Sequence, residues 1–244
     1  MCQLKRGTVV PEWCNCVLCE CKLSWVGVRG TMHIGILGAG RMGQALARLL
    51  VGAGYSVRLA NSRGPASLVD FVAELGPQAS ASTPAELVRG SDIVILATRW
   101  DQAPAALAAA APWDGTILID TTNNRFGPNP GDVYDLGDQT SSEVIAAMAP
   151  GARVVKAFNH QPIPSLSTTL GPTPAAQNAL FLAGDDPEAR ATVAQLIRAI
   201  GGKPFDMGEL RAGGRLFATG GGPLAGFGRM LSPAEAREII AAQG

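Results

Sequence analysis

The stretch Met32-His33-Ile34-Gly35-Ile36-Leu37-Gly38-Ala39-Gly40-Arg41-Met42-Gly43-Gln44-Ala45-Leu46-Ala47 decides how this chain is read. An apolar strand with Ile34, Ile36 and Leu37 runs directly into Gly38-x-Gly40-x-x-Gly43, and an amphipathic run with Leu46, Leu49 and Leu50 follows without a break. That succession is the strand, glycine turn and helix of a dinucleotide-binding unit. Gly38 permits the tight turn, Gly40 lets the backbone approach a pyrophosphate, and Gly43 lets helix and strand pack closely. The N–H groups left free at the helix start then hold the phosphates. Gly38, Ala39, Gly40, Arg41, Met42 and Gly43 are therefore expected to bind the cofactor. Among 30 glycines in 244 residues such a spacing also arises by chance. Its weight comes from the strand before it and the helix after it.

The length suits an α/β domain with a well-buried core. Twenty basic residues balance twenty acidic ones with no dense basic run, so nucleic acid is not an expected partner. Apolar runs are broken by Gly, Arg or Asp well short of a bilayer span, and no membrane association is expected. All five cysteines (Cys2, Cys14, Cys16, Cys19 and Cys21) lie before residue 32, and their absence from the rest fits a reducing cytoplasm. Cys14-x-Cys16-x-x-Cys19-x-Cys21 offers four thiolates to zinc or copper(I). Structural zinc sites favour two separated pairs, and no histidine accompanies these cysteines. With Met32 standing directly before the first strand, the preferred reading of 1–31 is an upstream extension from a misassigned start, with no metal site. The expected organisation is this cysteine-containing leader at 1–31, a dinucleotide-binding Rossmann domain at 32–207 and a short helical extension at 208–244. The fold class is α/β, with a doubly wound, mostly parallel sheet.

Beyond the glycine turn, Ser56–Ala60 reads as a second strand. It ends where an NAD enzyme presents a carboxylate to the ribose 2′-hydroxyl, but here stands Asn61-Ser62-Arg63-Gly64. A carboxylate repels a 2′-phosphate, whereas a hydroxyl and a guanidinium bind it through charge-assisted hydrogen bonds. NADP(H) is therefore preferred, with Asn61, Ser62 and Arg63 as contacts; the plain reading of Arg63 is a solvated turn residue.

Helical spacing follows over 65–75, with a weak strand at 79–82. Thr83-Pro-Ala-Glu86 is a capping box opening a short helix. Asp92–Ala97 reads as a buried parallel strand that ends at Thr98-Arg99-Trp100, beside the expected cofactor crevice. Thr98 and Arg99 are candidate contacts, and Asp101 is a candidate cap for the alanine-rich helix after it. Thr116–Asp120 is a fifth strand, followed by Thr121-Thr122-Asn123-Asn124, which read equally as turn residues or ligand contacts. A loop at 125–138 precedes a second capping box, Thr140-Ser-Ser-Glu143. Arg153–Ala157 is a sixth strand leading into Phe158-Asn159-His160, and 163–177 is a loop. Strands at 179–183 and 203–206 flank a helix starting at Asp186-Pro187. A last capped helix begins at Ser232.

These motifs resemble the NADPH-dependent reductases of coenzyme F420, an 8-hydroxy-5-deazaflavin. The resemblance rests on Gly38-Ala-Gly-Arg-Met-Gly43, Asn61-Ser-Arg63, Val154-Val-Lys-Ala-Phe-Asn159, Ala183-Gly-Asp-Asp-Pro187 and Leu210-Arg-x-Gly-Gly-Arg-Leu216. It implies direct hydride transfer between nicotinamide C4 and deazaflavin C5, usually in a dimer, with a small C-terminal extension shaping the deazaflavin pocket. It also adds Ala157 and Asn159 to the expected cofactor contacts. Such a transfer asks mainly for stacking geometry and water exclusion, so no catalytic acid or base is nominated; His160 is a weak candidate, better read as a loop histidine. The sequence departs from the family pattern at Thr98-Arg99-Trp100, where a proline often precedes the tryptophan. Its tail offers only the scattered cations Arg211, Arg215 and Arg229 to an anionic acceptor. The alternatives are an NADPH-dependent reductase of a small imine or carbonyl, and a non-catalytic NADP-sensing regulator. The partner expected in either enzyme reading is a small-molecule acceptor.

Overall fold

The structure, a computed structural model, describes residues 32–129, 131–160, 162–164, 166, 179–225 and 231–242. These fall in the second of the two units, 1–30 and 31–244, into which the chain divides. The cysteine leader, Arg229 and most of the 163–177 loop lie outside the described residues.

The expected elements are present: β1 (His33–Leu37), α1 (Arg41–Gly52), β2 (Ser56–Ala60), α2 (Val69–Leu75), β3 (Ala79–Ala81), α3 (Pro84–Arg89), β4 (Ile93–Leu96), α4 (Ala103–Ala110), β5 (Ile117–Asp120), α5 (Ser141–Met148), β6 (Arg153–Ala157), β7 (Ala179–Gly184), α6 (Pro187–Ala199), β8 (Lys203–Asp206), α7 (Ala212–Leu216) and α8 (Pro233–Ala241). The strands form one eight-stranded sheet in the order β3-β2-β1-β4-β5-β6-β7-β8. Neighbours run parallel except β6 and β7. This is the doubly wound α/β architecture. Chain order reverses beside β1, between β2 on one flank and β4 on the other, which opens a crevice at the carboxyl edge.

Alternation along each strand divides the core in two, because successive side chains leave a strand on opposite faces. Ile34, Ile36, Val57, Leu59, Ile93, Ile95, Ile117 and Ile119 meet Leu46 and Leu50 of α1 on one face, and Val193 and Ile197 of α6 share that cluster. Leu37, Ala60, Val94, Leu96 and Leu118 meet α3, α4 and α5 on the other through Leu87, Leu107 and Ile145. Strands covered on both sides read as unbroken apolar runs, as Ile93–Leu96 does. At β7 the second face changes its cover. Ala179, Phe181 and Ala183 pack against Phe217, Leu224, Leu231 and Ala236 of the C-terminal segment. The extension is thus the lid that keeps one face of β7 dry.

The capping boxes at Thr83/Glu86, Thr140/Glu143 and Ser232/Glu235 form with both reciprocal hydrogen bonds. One local expectation is refined and one fails. The helical spacing over 65–75 resolves into a 3-10 turn, Pro65–Leu68, followed by α2, and of its apolar residues only Leu68 is fully buried. Asp101 does not cap α4. It sits in the 3-10 turn Trp100–Gln102, where its carboxylate takes the Arg99 guanidinium at 3.0 and 2.6 Å, and α4 starts without a side-chain cap. A full guanidinium two residues away outcompetes a backbone N–H for the same oxygens.

Candidate dinucleotide site

The glycine turn is built by close approach. Gly38 has φ of 111°, a conformation that L side chains rarely adopt, and a Cβ there would lie 2.5 Å from the Ala97 carbonyl oxygen. Its N–H donates to Ala60 O at 2.8 Å, so the turn is tied to the end of β2 as well. A Cβ on Gly43 would lie 2.0 Å from Gly38 O, which fixes α1 hard against β1. Gly40 differs: nothing lies within 4 Å of where its Cβ would be. It is the N-cap of α1, and no side chain caps the helix. Open space, free N–H groups and a helix dipole together form an anion cradle that fits a pyrophosphate.

On the β2 side the turn after Ala60 is shaped by Asn61. Its Oδ1 accepts the Arg63 N–H at 2.9 Å, and its Nδ2 donates to Ser67 Oγ at 2.9 Å. The Asn61 amide thus shapes the turn and presents its neighbours. Ser62 and Arg63 are exposed, and among the described residues Arg63 makes no ion pair.

On the β4 side a crevice of about 420 Å³ is lined by Met42, Ala97–Trp100, Thr121–Asn123 and Arg125–Gly127. It brings together three expected contacts, Met42, Thr98 and Arg99. The Thr98 hydroxyl is buried and has no hydrogen-bond partner among the described residues. Native structures rarely leave such a group unsatisfied, and a ligand in the crevice would supply the partner. Arg99 lines the crevice with 74 % of its side chain exposed, already paired to Asp101.

Residues 33–124 match the family described as NADP oxidoreductase, coenzyme F420-dependent. A hypothetical protein of Sinorhizobium meliloti has a structure 35 % identical in sequence, covering 83 % of this chain and 93 % of its own, with a TM-score of 0.69. Over residues 33–124 the chain resembles this coenzyme F420-dependent NADP oxidoreductase family. A protein of Arthrobacter sp. FB24, provisionally named an F420-dependent NADP reductase, superposes with a TM-score of 0.64 at 25 % identity, over 73 % of this chain and 86 % of its own. The metalloreductase STEAP3 of Rattus norvegicus is 32 % identical over 178 residues, which is 72 % of this chain and 34 % of that protein. The chain spans about a third of that curated relative's length.

The remaining expected contacts are presented unevenly. Ala157 is completely buried in the core at the end of β6. Asn159 is a brace. Its Nδ2 donates to Asn123 Oδ1 and to Phe217 O, both at 3.1 Å, and its own carbonyl accepts Asn123 Nδ2 at 2.9 Å. Thr219 Oγ1 donates to the same Asn123 oxygen at 2.6 Å, so Asn123 fastens the crevice to the extension. Of the scattered tail cations, Arg211 pairs with Glu143 at 3.6 Å and Arg215 donates to Asp138 O.

His160 is no general acid. Its ring packs on Phe181 at 4.5 Å and against Phe217 at 5.4 Å, and Nε2 accepts the Phe181 N–H at 3.2 Å. Burial, assisted by the Lys156 charge, pushes its pKa down to about 3. The imidazole is therefore neutral in the folded protein at pH 7, and it does not line the crevice. With an ordinary pKa near 6.5 in the unfolded chain, the unfolded state takes up a proton that the folded state refuses. Stability is then full above about pH 6.5 and falls as pH drops toward 3, by up to about 1.4 kcal/mol per pH unit. Denaturant titrations at pH 7, 6, 5 and 4 should show this slope. His160→Phe should flatten it while lowering stability at pH 7 by about 1–3 kcal/mol, because the Phe181 N–H loses its acceptor.

Sequence reasoning missed the floor of the site. Asp120 and Lys156 are both 0 % exposed and are register partners on β5 and β6. The available signal was a charge of each sign directly after an apolar run, Ile117–Ile119 before Asp120 and Val154-Val155 before Lys156. Phe126 and Arg125, which complete the crevice wall, had no signal beyond a loop composition.

Proposed function

We propose that the protein transfers a hydride between NADPH and coenzyme F420 or a similar deazaflavin or flavin-like acceptor. The observation that carries this reading is the chemistry of the crevice wall. Its described lining holds two guanidiniums, Arg99 and Arg125, but no carboxylate, imidazole, ammonium or phenol. Reduction of a carbonyl or imine calls for a proton donor beside the atom that develops charge. A planar ring acceptor takes the hydride at ring position 5, a carbon in a deazaflavin and a nitrogen in a flavin, delocalises the charge and collects its proton from solvent, so the protein need only stack, orient and exclude water.

In this reading the pyrophosphate lies on the Gly40 cradle, Ser62 and Arg63 receive the 2′-phosphate, and Thr98 and Thr121–Asn123 line the nicotinamide half. The partner is a small molecule. Among the described residues no helix is long and apolar enough to cross a membrane, and no group of His, Cys, Asp and Glu is placed to hold a metal ion.

Purified protein mixed with NADPH and coenzyme F420 should bleach the deazaflavin absorption with equimolar loss of NADPH. Riboflavin and FMN should serve more weakly, and cyclic imines and simple ketones not at all. NADPH oxidation by imines or ketones alone would move the protein to the imine and carbonyl reductases. Tight NADPH binding with no oxidation by any acceptor would favour a sensing role.

A further inference from the structure

Asp120 and Lys156 stand opposite one another at the carboxyl ends of β5 and β6, with Oδ2 and Nζ 3.6 Å apart. Each group serves the segment just beyond the strands. Asp120 Oδ1 accepts the Thr122 N–H at 2.8 Å and the Thr122 hydroxyl at 2.7 Å, and Oδ2 accepts the Ser142 hydroxyl at 2.5 Å. Lys156 Nζ donates to Ser141 Oγ at 2.9 Å, Ser142 Oγ at 3.2 Å and Thr122 O at 3.3 Å. The carboxylate thus grips the N–H and hydroxyl of Thr122, and the ammonium grips its carbonyl. Both also hold the first turn of α5.

Two buried charges are an expensive way to tie a loop. Removing each ion from water costs several kcal/mol, and well-packed apolar residues of similar volume would often stabilise the fold as well or better. Burial indeed pushes the Lys156 ammonium below the ordinary lysine range, with Asp120 opposing the shift. What apolar residues cannot do is fix the three polar atoms of Thr122 in one orientation. Thr122 lines the crevice, and Ser141 lines a second cavity of about 510 Å³ bounded by Val133–Gly137 and Ala218–Gly222. One ion pair therefore reaches the walls of both cavities.

We propose that Asp120 and Lys156 are positioning residues that hold Thr121–Asn123 in the conformation that receives the nicotinamide half of NADPH, and that bind this segment to the second cavity through Ser141. The inference rests on the NADP-binding reading above. It predicts an effect confined to one half of the dinucleotide. The adenosine half lies across β1 from the pair, toward β2, and should not sense its loss.

The test compares NADPH with 2′,5′-ADP, which keeps the adenosine 2′-phosphate and lacks the nicotinamide. Lys156→Met should weaken NADPH at least tenfold and 2′,5′-ADP less than twofold. Because Lys156→Met leaves the Asp120 charge buried alone, a second variant, D120N/K156M, removes both charges at nearly constant volume. Thermal denaturation should show it folded, and its affinity for NADPH should still fall several-fold more than for 2′,5′-ADP. Equal losses for both ligands in a folded variant, or no loss for either, would overturn the proposal. Failure of the unaltered protein to bind either ligand would instead overturn the NADP reading.

Discussion

Gly43→Ala is expected to abolish measurable NADPH binding and to destabilise the protein by about 3 kcal/mol, the upper end for overpacking. For a domain of this size that is a fall in Tm of about 6–12 °C. The new methyl carbon would sit 2.0 Å from Gly38 O and 3.2 Å from Ile36 Cγ2. The first of these atoms is backbone, in a turn held on both flanks: Gly38 N–H bonds Ala60 O, and Ala97 N–H bonds Leu37 O, each at 2.8 Å. Relief requires α1 to move off β1, and its N-terminus carries the phosphate-binding N–H groups with it. Gly40→Ala separates fold from function at the same loop. Gly40 has φ of −79°, accessible to alanine, and open space in front of it, so Tm should stay within about 2 °C. A methyl group in that space would still stand where the pyrophosphate approaches, and NADPH affinity should fall about tenfold or more, a cost of about 1.4 kcal/mol. Isothermal titration calorimetry and thermal denaturation of the two variants give both readings. A Gly40→Ala protein that binds NADPH normally would remove the pyrophosphate from this cradle.

Arg63→Ala should weaken NADPH about 10- to 100-fold, matching the loss of about 1.5–3 kcal/mol for a hydrogen bond to a charged group. NADH, which has no 2′-phosphate, should change less than about threefold. The difference follows from the turn: Asn61 takes the Arg63 N–H, and the exposed guanidinium has no ion-pair partner among the described residues. Raising salt should erode NADPH affinity more than NADH affinity, since exposed charges are screened. Equal losses for the two nucleotides on substitution would assign the 2′-phosphate to other residues.

What was legible from the chain was what neighbouring residues settle among themselves. The strand and helix bounds around Gly38–Gly43, the short helix after Thr83 and the helix after Thr140 depend on spacing, caps and glycine, all within a few residues. The geometry of the glycine turn and of the Ser62–Arg63 turn was legible for the same reason, since both are local. Legibility ended where a local pattern met a competitor. Asp101 had the residue type and position of a cap but found Arg99; Asn159 and Ala157 sat in a motif beside the crevice but turned into the brace and the core. His160 stood at the carboxyl edge as a catalytic group would, yet Phe181 and Phe217 enclose it.

The amino-acid order thus settled which segments are strands and where the glycine turn and the Ser62–Arg63 turn lie, because each of these is an interaction among residues a few positions apart. The pairing of β7 against β6, the lid that Phe217, Leu224 and Leu231 lay over β7, and the Asp120–Lys156 floor were settled only in the folded molecule. A fully apolar strand carries no mark of its direction, and two charges 36 residues apart have no relation until parallel register makes them neighbours. The chemistry of the crevice wall belongs to this second class, since its lining comes from α1, the segments just after β4 and β5, and the loop at 125–127 at once.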